Sequence, residues 1–355
     1  MRRLPILLLS LLFAPALFGV TVTSISPTSG SSNGGTVVTL KGNFSGSGPF
    51  HVVFGSINAT SVEKVDTQTL TAITPAHLPG ESTVRVHEGD DLGPNLSFLE
   101  FTFEGGVPDA FERILLPLLT PPVRGAFGSE FHTTFEAWNA NPESIALVYG
   151  LESECPVCLV IPIPPERLID SPIPVFPESG FDSPLFGPPI PSGTPGRFIY
   201  VTDDDARHLA TSLRVHDITR SALNLGTEIP VVRERELVTS EKLVLTNVPI
   251  DSRFRNTLRI YAVDAADVVV TFISGGAFGL SQRIRRTVHL QAGRHLFEPA
   301  FATLSDFPTF VTNSTPITVT LEQSVPDGGT PTAMWAFLSV TNNETQAITT
   351  ITPQR

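Results

Sequence analysis

Between residues 22 and 103 apolar side chains return at every second position, in runs cut short by glycine and proline, and that pattern admits few folds. Val38 and Leu40, Val52 and Phe54, Val84 and Val86, and Leu99, Phe101 and Phe103 alternate with Thr39, Lys41, Arg85, Glu100 and Thr102. A period of two sends successive side chains to opposite faces of an extended chain, so each run reads as a strand with one face buried. Between the runs lie Pro27 with Gly30, Gly34 and Gly35, Gly46 to Pro49, Gly55, Pro75, and Pro79 with Gly80. These residues set or permit turn dihedrals that a strand residue does not hold. Many short strands at close spacing predict a β-sandwich.

The punctuation itself is ordered. Ile25, Pro27 and Gly30 make an Ile-x-Pro-x-x-Gly opening, Gly34-Gly35-Thr36 leads into a strand, and Val52, Phe54 and Gly55 supply Val-x-Phe-Gly. Thr74-Pro75 and the closing Val84-Arg85-Val86 follow in sequence. On these motifs the stretch resembles the immunoglobulin-like module called IPT or TIG, and a domain of that kind is expected over residues 20–105. The resemblance implies a spacer or interaction domain of the sort found in exported bacterial proteins, polysaccharide-acting enzymes and receptors. It brings no catalytic residue with it.

Residues 1–19 read as a secretory leader, with Arg2-Arg3, the apolar stretch Leu4 to Phe13, and small residues at Ala14, Ala16 and Gly19 as cleavage candidates. The formal net charge of the whole chain is −12. Losing two arginines with the leader leaves the remainder more acidic still, a poor surface overall for polyanions, nucleic acid among them. No later segment reaches the ~18 uninterrupted apolar residues of a spanning helix. The expectation is an extracytoplasmic protein, in periplasm, at the cell surface or in the medium.

Behind the first module, Gly105-Gly106-Val107-Pro108 has the composition of a linker. Strand patterns resume in Ile114 to Leu116, Phe131 to Trp138, Ile145 to Tyr149, Arg197 to Val201 and Leu209 to Val215, which predict a β-sandwich domain over 108–225. Inside it, residues 156–196 hold twelve of the 32 prolines and are expected to form a long surface loop, since proline fixes φ and donates no ladder bond. A C-terminal sandwich is expected over 226–355, with strands near 243–246, 257–261, 268–273, 287–290, 317–321, 334–340 and 348–351. Residues 230–355 also resemble, more loosely, a module of exported bacterial proteins without assigned role, through Arg255 to Tyr261 and Trp335 to Asn343. The fold class is therefore all-β: an immunoglobulin-like IPT/TIG sandwich followed by two further sandwich domains.

Candidate chemistry is thin. Cys155 and Cys158 have no second pair or histidine cluster to complete the four ligands of a zinc site, and behind a leader they read as a local disulfide. Gly30-Ser31-Ser32-Asn33-Gly34 matches a nucleophile elbow by letters, but lies in the opening turns of a sandwich and not between a buried strand and a helix. Asp203, Asp204 and Asp205, with Asp217, lack the spacing and glycine of a calcium loop. The eight histidines show no paired spacing. Trp138 and Trp335 sit in apolar strand patterns, where core is the expected fate. Arg283, Arg285 and Arg286 form the one basic concentration, Arg283 and Arg285 on one face of a strand, and are the candidate interaction residues.

No catalytic, cofactor or metal constellation is expected. The leading expectation is a non-enzymatic structural or interaction protein of the cell exterior, binding a protein or a surface polymer. Carbohydrate binding is the second expectation, and a secreted hydrolase or hydrolase accessory the third. An exposed Trp138 or Trp335 favours sugar binding, and facing carboxylates across a cleft favour the hydrolase.

Overall fold

A computed structural model describes residues 20–55, 57–89, 99–119, 123–142, 145–148, 160–163, 168–171, 196–219, 225–239, 242–275, 281–293, 296–310 and 316–354. The chain is all-β and falls into two compact units, Met1–Gly106 and Val107–Arg355. The leader, Cys155, Cys158 and most of the proline-rich stretch lie outside the described residues.

The first unit is a sandwich of two sheets. One orders Thr21–Ser26, Val37–Asn43, Thr69–Ile73 and Ser61–Asp66; the other orders Ser29–Ser31, Leu99–Glu104, Gly80–Glu88, Phe50–Phe54 and Ile57–Asn58. The alternating residues meet between them, and Val38, Leu40, Val52, Phe54, Val84, Val86, Phe101 and Phe103 are all buried in one core. At Pro27 the chain changes sheets. Thr21–Ser26 runs antiparallel to Val37–Asn43, whereas Ser29–Ser31 runs parallel to Leu99–Glu104.

The motif residues hold this turn region together. Gly34 has φ +79°, and a Cβ there would lie 2.5 Å from the Pro75 carbonyl carbon, so a side chain is excluded twice over. Gly35 N–H donates to Thr74 O and Thr74 N–H to Thr36 O, each at 2.9 Å. Thr36 N–H donates to Thr74 Oγ1 at 3.0 Å. Gly34-Gly35-Thr36 and Thr74-Pro75 thus occur together because each satisfies the other's backbone.

Among the described residues, the second unit contains four sheets. One orders Val160–Ile163, Ile145–Val148, Arg197–Thr202, Phe111–Leu116 and Val232–Arg233. A second orders Val123–Arg124, Glu130–Asn139, Leu209–Asp217 and Thr227–Glu228, with Leu168–Ser171 also paired to Glu130–Asn139. The remaining two enclose a single core. They order Leu243–Val248, Ile317–Gln323, Ala266–Ser274 and Gln282–Leu290, and Ala300–Leu304, Phe254–Ala262, Met334–Asn342 and Ile348–Ile351.

Three features go beyond the sequence expectations. The proline-rich stretch supplies two short strands, and Val160–Ile163, which contains Pro162, takes the sheet edge where a missing donor is tolerated. Ala300–Leu304 is an extra edge strand with little alternation to announce it. Thr227–Glu228 and Val232–Arg233 pair with Leu209–Asp217 and Phe111–Leu116, so strands of the earlier sheets continue past residue 225. We keep 108–225 and 226–355 as a proposed division within the second compact unit.

Side chains knit those parts. Tyr200 Oη donates to Leu296 O at 3.0 Å, and Phe198 N–H donates to Phe297 O at 2.8 Å. Tyr261 Oη donates to Pro117 O. Among the described residues no helix is long and apolar enough to cross a membrane.

Candidate functional site

The strand Glu130–Asn139 has two unlike faces. Thr133, Phe135, Ala137 and Asn139 are buried, while Glu130, His132, Thr134, Glu136 and Trp138 take the opposite, partly solvated face. On the neighbouring strand Leu209–Asp217 the register sets Trp138 beside Ala210, Glu136 beside Ser212, Thr134 beside Arg214 and His132 beside His216. Leu168–Ser171 pairs along the other side from Phe135 to Trp138. Trp138 therefore stands on a strand held from both sides, 39% exposed, next to a small Ala210 that leaves its ring uncovered on that flank.

Polar groups run in a row away from it along the same face. Glu136 lies two residues away along the strand, ~6.7 Å at the usual strand rise. Arg214 reaches Glu228 at 3.9 Å and donates to Leu225 O at 3.3 Å. His132 and His216 stack with ring centroids 5.7 Å apart, and His216 Nε2 lies 2.8 Å from Thr134 Oγ1. Burial, and then the charge of His216, hold the His132 imidazole below its ordinary range, against an opposing pull from Glu130. An indole with a carboxylate beside it, and with a guanidinium and imidazoles further along the same face, matches an extended ligand with both C–H faces and hydroxyl edges.

Trp335 has the opposite fate. It is 6% exposed and lies in an aromatic ladder, 6.5 Å from Tyr261 and 5.6 Å from Phe337 between ring centroids, with the Arg259 guanidinium 5.6 Å over Phe337. Burial pushes the Tyr261 phenol far up, and that of Tyr200 up to about 12. Burial also lowers the Arg259 pKa. This face is packing surface, as expected for a tryptophan in an apolar run. Trp138, read the same way from sequence, is not core.

The remaining candidates separate. Ser32, centre of the elbow-like motif, is buried and donates its hydroxyl to Gly106 O at 2.7 Å; the segment around it is the strand Ser29–Ser31 and a turn, with no helix following. Asp203 to Asp205 form the first turn of a four-residue helix Asp203–Ala206, where Thr202 caps Asp205 N–H and Arg207 pairs with Asp203 at 3.0 Å. Asp217 is used elsewhere, accepting from Glu130 N–H and from Thr219. Among the described residues no group of three or more His, Cys, Asp and Glu is placed to hold a metal ion.

The arginines also part company. Arg286 turns to the inner side of its strand, pairs with Asp306 at 3.2 Å and lies 6.0 Å over the Phe272 ring. Arg253 pairs with Asp251 at 2.9 Å, and Arg255 donates to Asn343 Oδ1 at 3.3 Å. Arg283 and Arg285 remain on the outer face and line one groove. The stacked histidine pairs, His132 with His216 and His51 with His87 at 4.9 Å, escaped the sequence because partners across strands have no fixed linear spacing.

No curated protein matches this chain. Among solved structures, an auxiliary nutrient binding protein from Bacteroides ovatus is 19% identical over 38% of this chain and 32% of its own, with a TM-score of 0.17. A structure of carbohydrate-binding modules of the β-sandwich superfamily is 12% identical over 94% of this chain and 98% of its own, with a TM-score of 0.20. SGBP-B of a Bacteroides ovatus mixed-linkage glucan utilization locus, in complex with a mixed-linkage heptasaccharide, is 13% identical over 85% of this chain and 75% of its own, with a TM-score of 0.15. The chain thus spans about a third of the first of these proteins, and similarities this distant carry no argument about ligand. Residues 21–103 match the IPT/TIG domain family, and with the Gly34-Gly35-Thr36 and Thr74-Pro75 bonding in place this part of the chain is an IPT/TIG domain.

Proposed function

We propose that the protein is an exported, non-catalytic glycan-binding protein whose second unit presents the outer face of Glu130–Asn139 to a polysaccharide. The observation that carries this reading is Trp138. A chain that buries Trp335, Tyr200 and Tyr261 leaves this one indole on a strand paired on both sides, with Glu136 next to it and Arg214 and His132 further along the same face. Apolar ring surface left in water forgoes ~25 cal/mol per Å² of burial, which a sugar face laid on the indole recovers. The IPT/TIG unit then acts as a spacer between this face and whatever holds the chain at the cell exterior.

Affinity electrophoresis through gels carrying neutral polysaccharides tests the assignment. The intact chain is expected to be retarded by at least one of them, and Trp138→Ala to weaken that binding by about 30-fold or more, the weight of ~2 kcal/mol that a central aromatic contact carries. An undiminished affinity in Trp138→Ala, or no retardation by any glycan, removes the proposal.

A further inference from the structure

The sheet formed by Leu243–Val248, Ile317–Gln323, Ala266–Ser274 and Gln282–Leu290 carries a second polar face. Its inner side is the core of Leu245, Val268, Val270, Phe272, Val319 and Leu321. Its outer side is a groove of about 400 Å³, with Arg283, Arg285, Thr271, Thr320, Val269 and Ile273 among its walls. That volume is within the ~300–1,000 Å³ of ligand sites. Register fixes the rows: Arg285, Thr271 and Thr320 are neighbours across three strands, and Arg283 lies beside Ile273, which lies beside Thr318.

The charges on this sheet do not cancel. Lys242 pairs with Glu322 at 3.1 Å, Arg286 with Asp306 at 3.2 Å, and His289 with Asp267 at 2.6 Å. Those pairs use every acid of the four strands, and Arg283 and Arg285 are left over, both exposed. Two residues apart on one strand, their Cα atoms are ~6.7 Å apart. Two guanidinium groups carried on such neighbouring positions repel one another, in a chain of net charge −12 that offers acids in plenty elsewhere.

We infer that this groove binds an acidic polysaccharide, a chain of sugar units bearing carboxylates, with Arg283 and Arg285 taking the carboxylates. Planar guanidinium forks match carboxylates in two-bond pairs. The floor between them presents the threonine hydroxyls and the Val269 and Ile273 side chains, partners for sugar hydroxyls and ring C–H groups. Thr271 and Thr320 lie on the two inner strands, whose backbone is paired on both sides, while Arg283 and Arg285 stand on the edge strand Gln282–Leu290, so an acidic peptide is the competing ligand that polyglutamate represents in the test. The site shares a broad ligand class with the Trp138 face and none of its residues.

Calorimetric titration of the full chain with oligomers of polygalacturonate, with the same oligomers fully methyl-esterified, and with polyglutamate, each at low and high salt, tests it. The uronate is expected to bind, more weakly at high salt, and R283Q/R285Q to lose at least tenfold with a flatter salt dependence and an unchanged melting temperature. R283K/R285K, which keeps the charge without the fork, is expected to fall between the two. Trp138→Ala is expected to leave the gap between wild type and R283Q/R285Q intact, so failure of one face is told apart from failure of the other. Equal uronate affinity in R283Q/R285Q overturns the inference. So does polyglutamate binding as tightly as uronate with the same arginine dependence, or a methyl ester that binds as well as the acid.

Discussion

His77 shows how far a single side chain can report on its unit. Its ring stacks on Phe103 with centroids 4.4 Å apart, its Nδ1–H donates to Leu78 O at 2.8 Å, and Ser82 Oγ lies 3.4 Å from Nε2. Burial pushes its pKa below the ordinary value of 6.5, the hydrogen bond to Leu78 opposing. The unfolded chain then takes up a proton that the folded chain resists, so stability rises with pH where the two forms differ. The first unit is expected to hold this contribution above about pH 6.5, the unfolded value, and to lose it as pH falls below that. Urea midpoints between pH 7.5 and 5 should fall for the wild type and fall less for His77→Gln; identical slopes would discard the account. At this scale the sequence was least legible. Trp138 shares its strand face with Glu136, Thr134 and His132, whereas Trp335 lies in the unbroken apolar run Met334 to Leu338, and expecting core for both passed over that difference.

Met334–Asn342 is buried along nearly its whole length because it has a partner on each side: Met334, Ala336, Leu338 and Val340 enter the core, while Trp335 and Phe337 meet Tyr261. The apolar run Met334 to Leu338 signals a strand without a solvent face. Trp335→Ala should cost about 3–5 kcal/mol by chemical denaturation, as for other large buried aromatics. A loss below about 1 kcal/mol would mean that the ladder is not tightly packed. Strong alternation made most strands readable, with their ends drifting by a few residues. Two edge strands were not readable, since Ala300–Leu304 is half solvated and Val160–Ile163 carries a proline. Of the candidate arginines, the period of two correctly put Arg283 and Arg285 together, while the fate of Arg286 depended on an aspartate twenty residues away.

The whole chain combines an IPT/TIG sandwich with a larger unit in which two pairs of sheets share an aromatic seam. Residues 226–355 carry Tyr261, Trp335 and Phe337 on one outer face. Expressed alone, that fragment is expected to expose the ladder, bind a hydrophobic dye and self-associate, whereas residues 107–355 should do neither. Equal dye binding by the two fragments would show that the seam is not what covers the ladder. Linear sequence displayed the two ends of this seam but not their meeting, because Pro117 and Tyr261 are brought together by folding alone.

The parallel pairing of Ser29–Ser31 with Leu99–Glu104 joins the second and last strands of the IPT/TIG unit, with Thr102 N–H bonded to Thr28 O at 2.9 Å and Ser32 N–H to Glu104 O at 2.7 Å. Once Thr21–Ser26 has come away from Val37–Asn43, tension applied at the two ends of that unit pulls these strands in opposite directions along their own axes. The bonds are then sheared as a group and not unzipped one after another, which equips the module to transmit mechanical load.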